Sequence, residues 1–203
     1  MSRRLCTLVA VVVAALLVVP AAFALRVHVR VEGKTRTIYG STEPSLSVGV
    51  NALDALESAS AAGEFYYHVA VTSFGPYVDQ IGRYVAGSST GWVFKVNGVS
   101  PPVGADRRRD AVALKPGDRV LWYWATFGPA GGPPTLALRS GAKRNCYRVV
   151  SQNDVGKTSA ARGARLRVDG RSVPVRGGSA CLGRHRGLVT ATLKGAVRSN
   201  ALR

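Results

Sequence analysis

The sequence predicts an α+β domain, with one helix on a mainly antiparallel sheet, followed by a small all-β sandwich. Residues 91–98, GWVFKVNG, have apolar and aromatic side chains at alternate positions, which is typical of a strand. They end in an Asn-Gly pair, which is typical of a turn. Residues 120–124, VLWYW, form a second aromatic strand, and these two strands contain all three tryptophans. One convincing helical segment precedes them, and a series of short strands with frequent turns follows them.

The first 24 residues predict an export signal and no part of the fold. Arg3 and Arg4 precede an apolar run over residues 5–19, and Ala-Phe-Ala at 22–24 fits a small-residue cleavage pattern. We therefore expect a secreted or cell-surface protein that is cleaved after Ala24. A retained membrane anchor is the alternative, because the run is near the lower length limit for spanning a bilayer.

The predicted domain opens with a strand and a helix. Residues 26–32 alternate valine with charged or polar residues, which predicts a strand with one face in water, and residues 35–39 return as its partner. Asn51 is expected to cap the helix, Asp54 to complete a capping box three positions later, and Gly63 to end the helix.

Two further strands lead to the aromatic pair. Residues 65–71 and 78–81 have β-forming sequences, and a loop rich in glycine and serine, residues 82–90, follows them. The Pro-Gly-Asp sequence at 116–118 then predicts a tight turn into the second aromatic strand.

Several motifs occur in a characteristic order along this part of the chain. They are NALDAL at 51–56, FGPYV at 74–78, GWVFKVNG at 91–98, Gly104, and LKPGDRVLW at 114–122. Together they resemble the domain of unknown function 4430 family, also called the transcobalamin-like C-terminal domain, over about residues 26–127. The resemblance implies a β-grasp-like fold and an exported or surface protein.

The same resemblance implies a ligand face. In vitamin B12 carriers the related domain forms one lid over the corrin ring, so cobalamin is the ligand that the analogy implies. The helical-barrel domain that completes the site in those carriers has no counterpart in this sequence. We therefore expect no bound cofactor.

The composition changes after the first domain, which we place at residues 25–127. Residues 128–139 begin GPAGGPP and predict a linker, since this stretch is too rich in glycine and proline to fold regularly. Residues 140–203 then form short strands, which predicts a small β-sandwich.

Two segments of this second part have a recognisable pattern. Residues 163–170, GARLRVDG, end in an Asp-Gly hairpin turn, and residues 187–191, GLVTA, follow as a further strand. The pair is similar to carboxypeptidase-regulatory-like and bacterial Ig-like modules.

Cys146 and Cys181 are the two cysteines outside the export signal. In an oxidising compartment such a pair is expected to form one disulfide. A metal or nucleophilic site is the rival interpretation, but His185 is the only histidine near either cysteine in the sequence.

The aromatic residues are the candidate ligand site of the first domain. A small molecule or a glycan would stack on an exposed aromatic face; the alternative is that these side chains are simply the core of the sheet. The candidates are Tyr77, Trp92, Trp122 and Trp124. No catalytic motif or metal-spaced cluster occurs, so we expect a non-catalytic protein.

The positive charge is the candidate feature of the second domain. The chain has a formal net charge of +17, and residues 140–203 contain 14 basic and 2 acidic residues. Such a field favours polyanions, and in an exported protein we expect anionic envelope polymers and no nucleic acid. The alternative is that these arginines only keep an ordinary protein surface in contact with water and have no binding role. The candidate contacts are Arg162, Arg165, Arg167, Arg171, Arg184 and Arg186.

Overall fold

The structure, a computed structural model, describes residues 25–73, 75–106, 113–129 and 131–203. The predicted export signal lies outside the described residues. Within the described ranges, no helix combines the length and the apolar character that crossing a bilayer requires.

A five-stranded sheet forms the centre of the first half. Its strands are β1 (Leu25–Glu32), β2 (Thr37–Tyr39), β3 (Ser45–Val48), β7 (Thr90–Val96) and β8 (Arg119–Thr126). The order is β2-β1-β8-β7, and β3 also pairs with β1. β1 runs parallel to β8, whereas β7 and β8 form an antiparallel pair. The sheet therefore ends at β7 on one side.

A single helix, α1 (Ala52–Gly63), packs on one face of this sheet. The predicted capping box is confirmed: the Asn51 side chain accepts a hydrogen bond from the Asp54 backbone N–H, and the Asp54 carboxylate accepts one from the Asn51 N–H. The helix also ends at Gly63, as predicted. Glu64, with φ 49°, occupies the left-handed position, and Gly63 is the last helical residue.

Gly63 is still required for a steric reason. A Cβ at this position would lie 2.5 Å from the Tyr39 ring, so the glycine lets the end of α1 approach β2.

A second small sheet covers the same face beside α1. It contains β4 (Tyr67–Thr72), β5 (Gly75–Ile81) and β6 (Tyr84–Val85), all antiparallel. Val78 and Ile81 of β5 join the core of the central sheet. This sheet places β5 alongside the outer edge of β7.

The second half contains two antiparallel sheets that share one core. The first contains β9 (Thr135–Ser140), β10 (Cys146–Gln152), β11 (Thr158–Ala160) and β14 (Ser179–Cys181). The second contains β12 (Arg165–Val168), β13 (Arg171–Pro174) and β15 (Thr190–Thr192). The predicted fold class, an α+β part followed by a small all-β part, is confirmed.

The connection between the halves is shorter than the sequence predicts. Residues 128–139 were expected to be a linker, but β9 begins at Thr135 and pairs along β10. Leu136 and Leu138 are buried in the second core, which explains why the chain is extended there. The prediction missed this strand because prolines directly precede it.

The second half also covers the other face of the central sheet. The predicted water-facing side of β1 is wrong: Arg30 and Glu32 are buried. Their charges are tolerated because Arg30 and Arg198 both donate hydrogen bonds to Glu32. On β8, Leu121 and Tyr123 pack with Val197 on this same face.

Candidate functional site

A cleft of about 340 Å³ runs along the outer edge of β7. Trp92 and Phe94 line it from the face that carries α1, whereas Val93 and Tyr123 line it from the opposite face. The cleft therefore wraps around the edge of the central sheet. We call it the lateral cleft. Its further lining residues are Pro76, Tyr77, Val78, Ser100, Pro101, Val103, Gly104, Ala105, Trp122, Phe127, Gly132 and Asp154.

Two tryptophans form the floor of the lateral cleft. Trp92 and Trp122 are each only 2% exposed. Their indole N–H groups donate inside the protein, from Trp92 to the Tyr84 carbonyl at 2.9 Å and from Trp122 to the Ala52 carbonyl at 3.0 Å. Both residues thus belong to the core as well as to the cleft, and neither indole N–H is free for a ligand.

Two aromatic side chains at the rim are accessible. Tyr77 is 39% exposed and Phe127 is 42% exposed. The Tyr77 hydroxyl forms a hydrogen bond with the Trp92 backbone, which holds the ring against β7, and burial raises the pKa of this hydroxyl. A Cβ at Gly91 would overlap the Tyr77 hydroxyl, so the glycine permits this close approach.

Asp154 supplies a carboxylate to an otherwise mostly apolar lining. Its side chain is 49% exposed. The Ser100 hydroxyl donates to it at 3.4 Å, and Tyr123 forms hydrogen bonds with both Ser100 and Asp154. Burial, reinforced by the Asp154 charge, raises the pKa of Tyr123, so this phenol stays protonated and can donate.

A fully buried lysine holds Asp154 at the cleft. The Lys95 ammonium lies 3.2 Å from the Asp154 carboxylate and 3.0 Å from the Asn153 carbonyl. Burial lowers the pKa of Lys95, while the hydrogen bond with Asp154 acts in the opposite direction. The second half covers Lys95, whose side chain is fully buried.

The fourth aromatic candidate does not line the lateral cleft. Trp124 packs edge-on against Trp92, with ring centroids 5.6 Å apart, and contacts Tyr84. It lines a separate cavity of about 410 Å³ together with Lys34 and Arg198. The structure therefore brings Tyr77, Trp92 and Trp122 together and leaves Trp124 apart.

The six candidate arginines of the second half are all exposed. Arg165 and Arg167 lie on β12, and both side chains point away from the core that buries Leu166. Arg171 on β13 donates a hydrogen bond to the Arg184 carbonyl at 3.4 Å. Asp169 accepts hydrogen bonds from the backbone N–H groups of Arg186 and Gly187, so the hairpin turn and the loop over residues 183–187 lie together. Arg162 precedes β12.

The two cysteines form the predicted disulfide. Cys146 and Cys181 are directly opposite each other on β10 and β14. Across the described ranges, no three His, Cys, Asp or Glu side chains form a group that could hold a metal ion.

Sequence reasoning missed the polar corner of the lateral cleft. Lys95 and Asp154 are 59 positions apart and lie in different halves, so no local pattern links them. Two signals were present in the sequence: a lysine within an otherwise apolar strand, and only two acidic residues in the whole second half.

The first half is thus a one-helix α+β domain that carries an aromatic cleft at its sheet edge. Residues 49–126 match the family model described as "Domain of unknown function (DUF4430)". This segment includes α1, β4 to β8 and all four aromatic candidates. The match is shorter than the resemblance over 26–127, since it leaves out β1, β2 and β3 of the central sheet.

Comparison with solved structures gives a distant similarity. A protein from Ruminococcus gnavus, described as a "putative metal binding protein", is similar over 50% of this chain and 97% of its own chain, with 14% sequence identity and a TM-score of 0.37. No curated protein matches this chain.

Proposed function

We propose that this chain is an exported, non-catalytic binding protein whose first half holds a small molecule or a glycan in the lateral cleft. The observation that carries the proposal is the pair of exposed aromatic side chains, Tyr77 and Phe127, at the rim of an apolar cleft with a single carboxylate. Ligand sites combine apolar lining with a few polar groups in this way, with volumes of roughly 300–1,000 Å³.

The cleft offers two kinds of contact to such a ligand. The Tyr77 and Phe127 rings provide apolar faces on which a flat ring or the apolar face of a sugar stacks. Asp154 is a hydrogen-bond acceptor for ligand hydroxyl groups, and the Lys95 ammonium keeps it in place. Trp92 and Trp122 form the floor and determine the shape of the cleft.

Tryptophan fluorescence provides the test, because Trp92 and Trp122 lie directly under the binding surface. We would titrate the protein with chito-oligosaccharides and measure cobalamin uptake by equilibrium dialysis. Tyr77→Ala and Phe127→Ala are expected to abolish the binding. Phe127→Ala should leave the melting temperature nearly unchanged, whereas Tyr77→Ala also removes the hydrogen bond with the Trp92 backbone and should lower it slightly.

Tyr66→Ala is the matched control, since Tyr66 is 59% exposed and does not line the cleft. Equal loss of binding in all three variants would contradict the assignment of the cleft. Trp92→Ala is unsuitable as a binding test, because removal of a buried indole lowers stability as well.

A second candidate function is adhesion to anionic envelope polymers through the second half. The observation in its favour is that both acidic residues of this half are already engaged, Asp154 with Lys95 and Asp169 with backbone N–H groups. Among the described residues, Arg198 is the only basic residue of 140–203 within ion-pair distance of a carboxylate. The positive charges of the arginines in this half are therefore largely without acidic partners.

Salt distinguishes the two functions. Retention on isolated cell walls through the arginines should fall steeply as ionic strength rises, because exposed charges are screened. Stacking in the lateral cleft should be nearly insensitive to salt. Salt-independent retention on cell walls would exclude the adhesion function.

A further inference from the structure

A further cavity, of about 450 Å³, lies beside the disulfide in the second half. It forms where the turn between β9 and β10 faces the loop over residues 183–187. Its lining includes Lys143, Arg144, His185 and Arg203, and no carboxylate side chain contributes to it. We call it the basic pocket. None of these four residues was a candidate on sequence grounds.

The backbone around the basic pocket is fixed at several points. Cys146 and Cys181 join the two strands that carry the turn and the loop. The Leu182 N–H donates to the Asn145 carbonyl at 2.7 Å, and the Cys146 N–H donates to the Lys143 carbonyl at 3.1 Å. The cationic side chains therefore project from a cross-linked scaffold, which reduces the entropy lost on binding a ligand.

The buried wall of the pocket contains a polar pair with defined donor roles. His185 Nδ1 lies 3.1 Å from the Gly187 carbonyl, which can only accept, so Nδ1 carries a proton. In the neutral imidazole, Nε2 then accepts a hydrogen bond from the Tyr147 hydroxyl at 2.9 Å. Tyr147 itself is buried, so its hydroxyl and the imidazole form a fixed polar wall.

The cations that face this wall have no internal partner that would compete with a ligand. In the described part of the chain, no carboxylate lies within ion-pair distance of Lys143, Arg144 or Arg203. Three basic residues without a carboxylate partner thus line one concave site. A guanidinium presents parallel N–H donors that match two oxygens of a tetrahedral oxyanion.

We propose that the basic pocket binds the phosphate or sulfate ester group of an anionic saccharide or polyol. The volume exceeds that of the oxyanion alone and leaves room for the unit that carries it. The inference deepens the second candidate function: the exposed arginines of β12 and β13 attract the polymer, and the basic pocket recognises one ester group along it.

Isothermal titration calorimetry with small ligands tests the pocket separately from the surrounding field. Glycerol phosphate and N-acetylglucosamine 6-sulfate are the ligands, and the one that binds more tightly identifies the ester. N-acetylglucosamine is the uncharged reference. The double variant Lys143→Gln/Arg144→Gln is expected to weaken the tighter ester about tenfold or more.

The control is Arg165→Gln/Arg167→Gln, which removes the same charge from the exposed strand β12. It is expected to weaken the small ester less than about twofold, because exposed charges outside the pocket are screened. The proposal that the basic pocket binds the ester would be wrong if both double variants weakened binding equally. It would also be wrong if neither ester bound to the unaltered protein.

Retention on isolated cell walls, measured on the same proteins, separates this inference from the adhesion function. If neither ester binds but retention still falls with salt, the pocket assignment fails and adhesion through the arginine field stands. If retention is also insensitive to salt, both fail. His185→Gln supplies a further readout: it keeps an acceptor for Tyr147 and should weaken the ester less than the double variant does.

Discussion

At the scale of single residues, Glu32 is the clearest case in which a charge is part of the core. Its side chain is fully buried and accepts hydrogen bonds from Arg30, Arg198 and Thr37. Burial lowers the pKa of Arg30, and Glu32 is the main group that opposes this shift. A carboxylate with two guanidinium partners satisfies its hydrogen-bonding capacity without water.

We expect Glu32→Gln to destabilise the protein by about 3 kcal/mol, because the neutral amide leaves the partly buried Arg198 guanidinium without a counter-charge and the buried Arg30 guanidinium with Glu43 alone. Urea denaturation followed by tryptophan fluorescence measures the change. Glu57→Gln, on the exposed side of α1, should change the free energy of unfolding by less than about 0.5 kcal/mol. Equal stability of the two variants would show that Glu32 remains accessible to water.

The sequence alone did not predict this cluster. Alternation of valine with charged residues in β1 is typical of a strand with one face in water, and the local pattern contains nothing else. Arg198, whose side chain helps to cover that face, is 166 positions away from Glu32 in the sequence. The same reasoning applies to Lys95, whose hydrogen-bond and ion-pair partners come from the second half.

At the scale of elements, local signals were sufficient for the start of α1 and for the Asp169-Gly170 hairpin. The start of α1 was predictable because Asn51 and Asp54 are three residues apart and bond to each other's backbone. The Asp169-Gly170 hairpin was predictable because both residues take positive φ, 47° and 71°, which that dipeptide tolerates. By contrast, β3 and β9 are strands through pairing with β1 and β10, and their own sequences carry weak signals.

The helix start provides a prediction at this scale. We expect Asn51→Ala to lower the free energy of unfolding by about 1 kcal/mol, because the Asp54 N–H loses its side-chain acceptor. Asn51→Gly should cost only a few tenths of a kcal/mol, since glycine is itself a tolerated cap. Urea denaturation of both variants measures the difference. Equal losses would mean that the Asn51 contact with the Asp106 carbonyl matters more than the cap.

At the scale of the whole molecule, the two halves share an interior. The central sheet is covered by α1 on one face and by the second half on the other, where Val197 packs with Leu121 and Tyr123. The lateral cleft depends on this arrangement, since Asp154 comes from the second half and most of the lining from the first. Composition indicated two parts, but no local pattern links the partners of the ion pairs that join them.

The disulfide determines which half is lost first. It closes a loop with a sequence separation of 35 residues, and such a crosslink contributes about 3–4 kcal/mol. We expect reduction to expose the backbone N–H groups of β10 and β14 to hydrogen exchange before those of β7 and β8, since the second core is small and the first contains the tryptophans. Exchange measured by mass spectrometry on oxidised and reduced protein follows the two halves separately.

Because the second half supplies Asp154 and covers Lys95, its loss should also open the lateral cleft and increase the solvent exposure of Tyr123. If the reduced protein instead loses protection in both halves at once, the shared interior makes them one cooperative unit. If reduction changes neither the protection nor the melting temperature, the crosslink does not stabilise the fold, and the second core is sufficient without it.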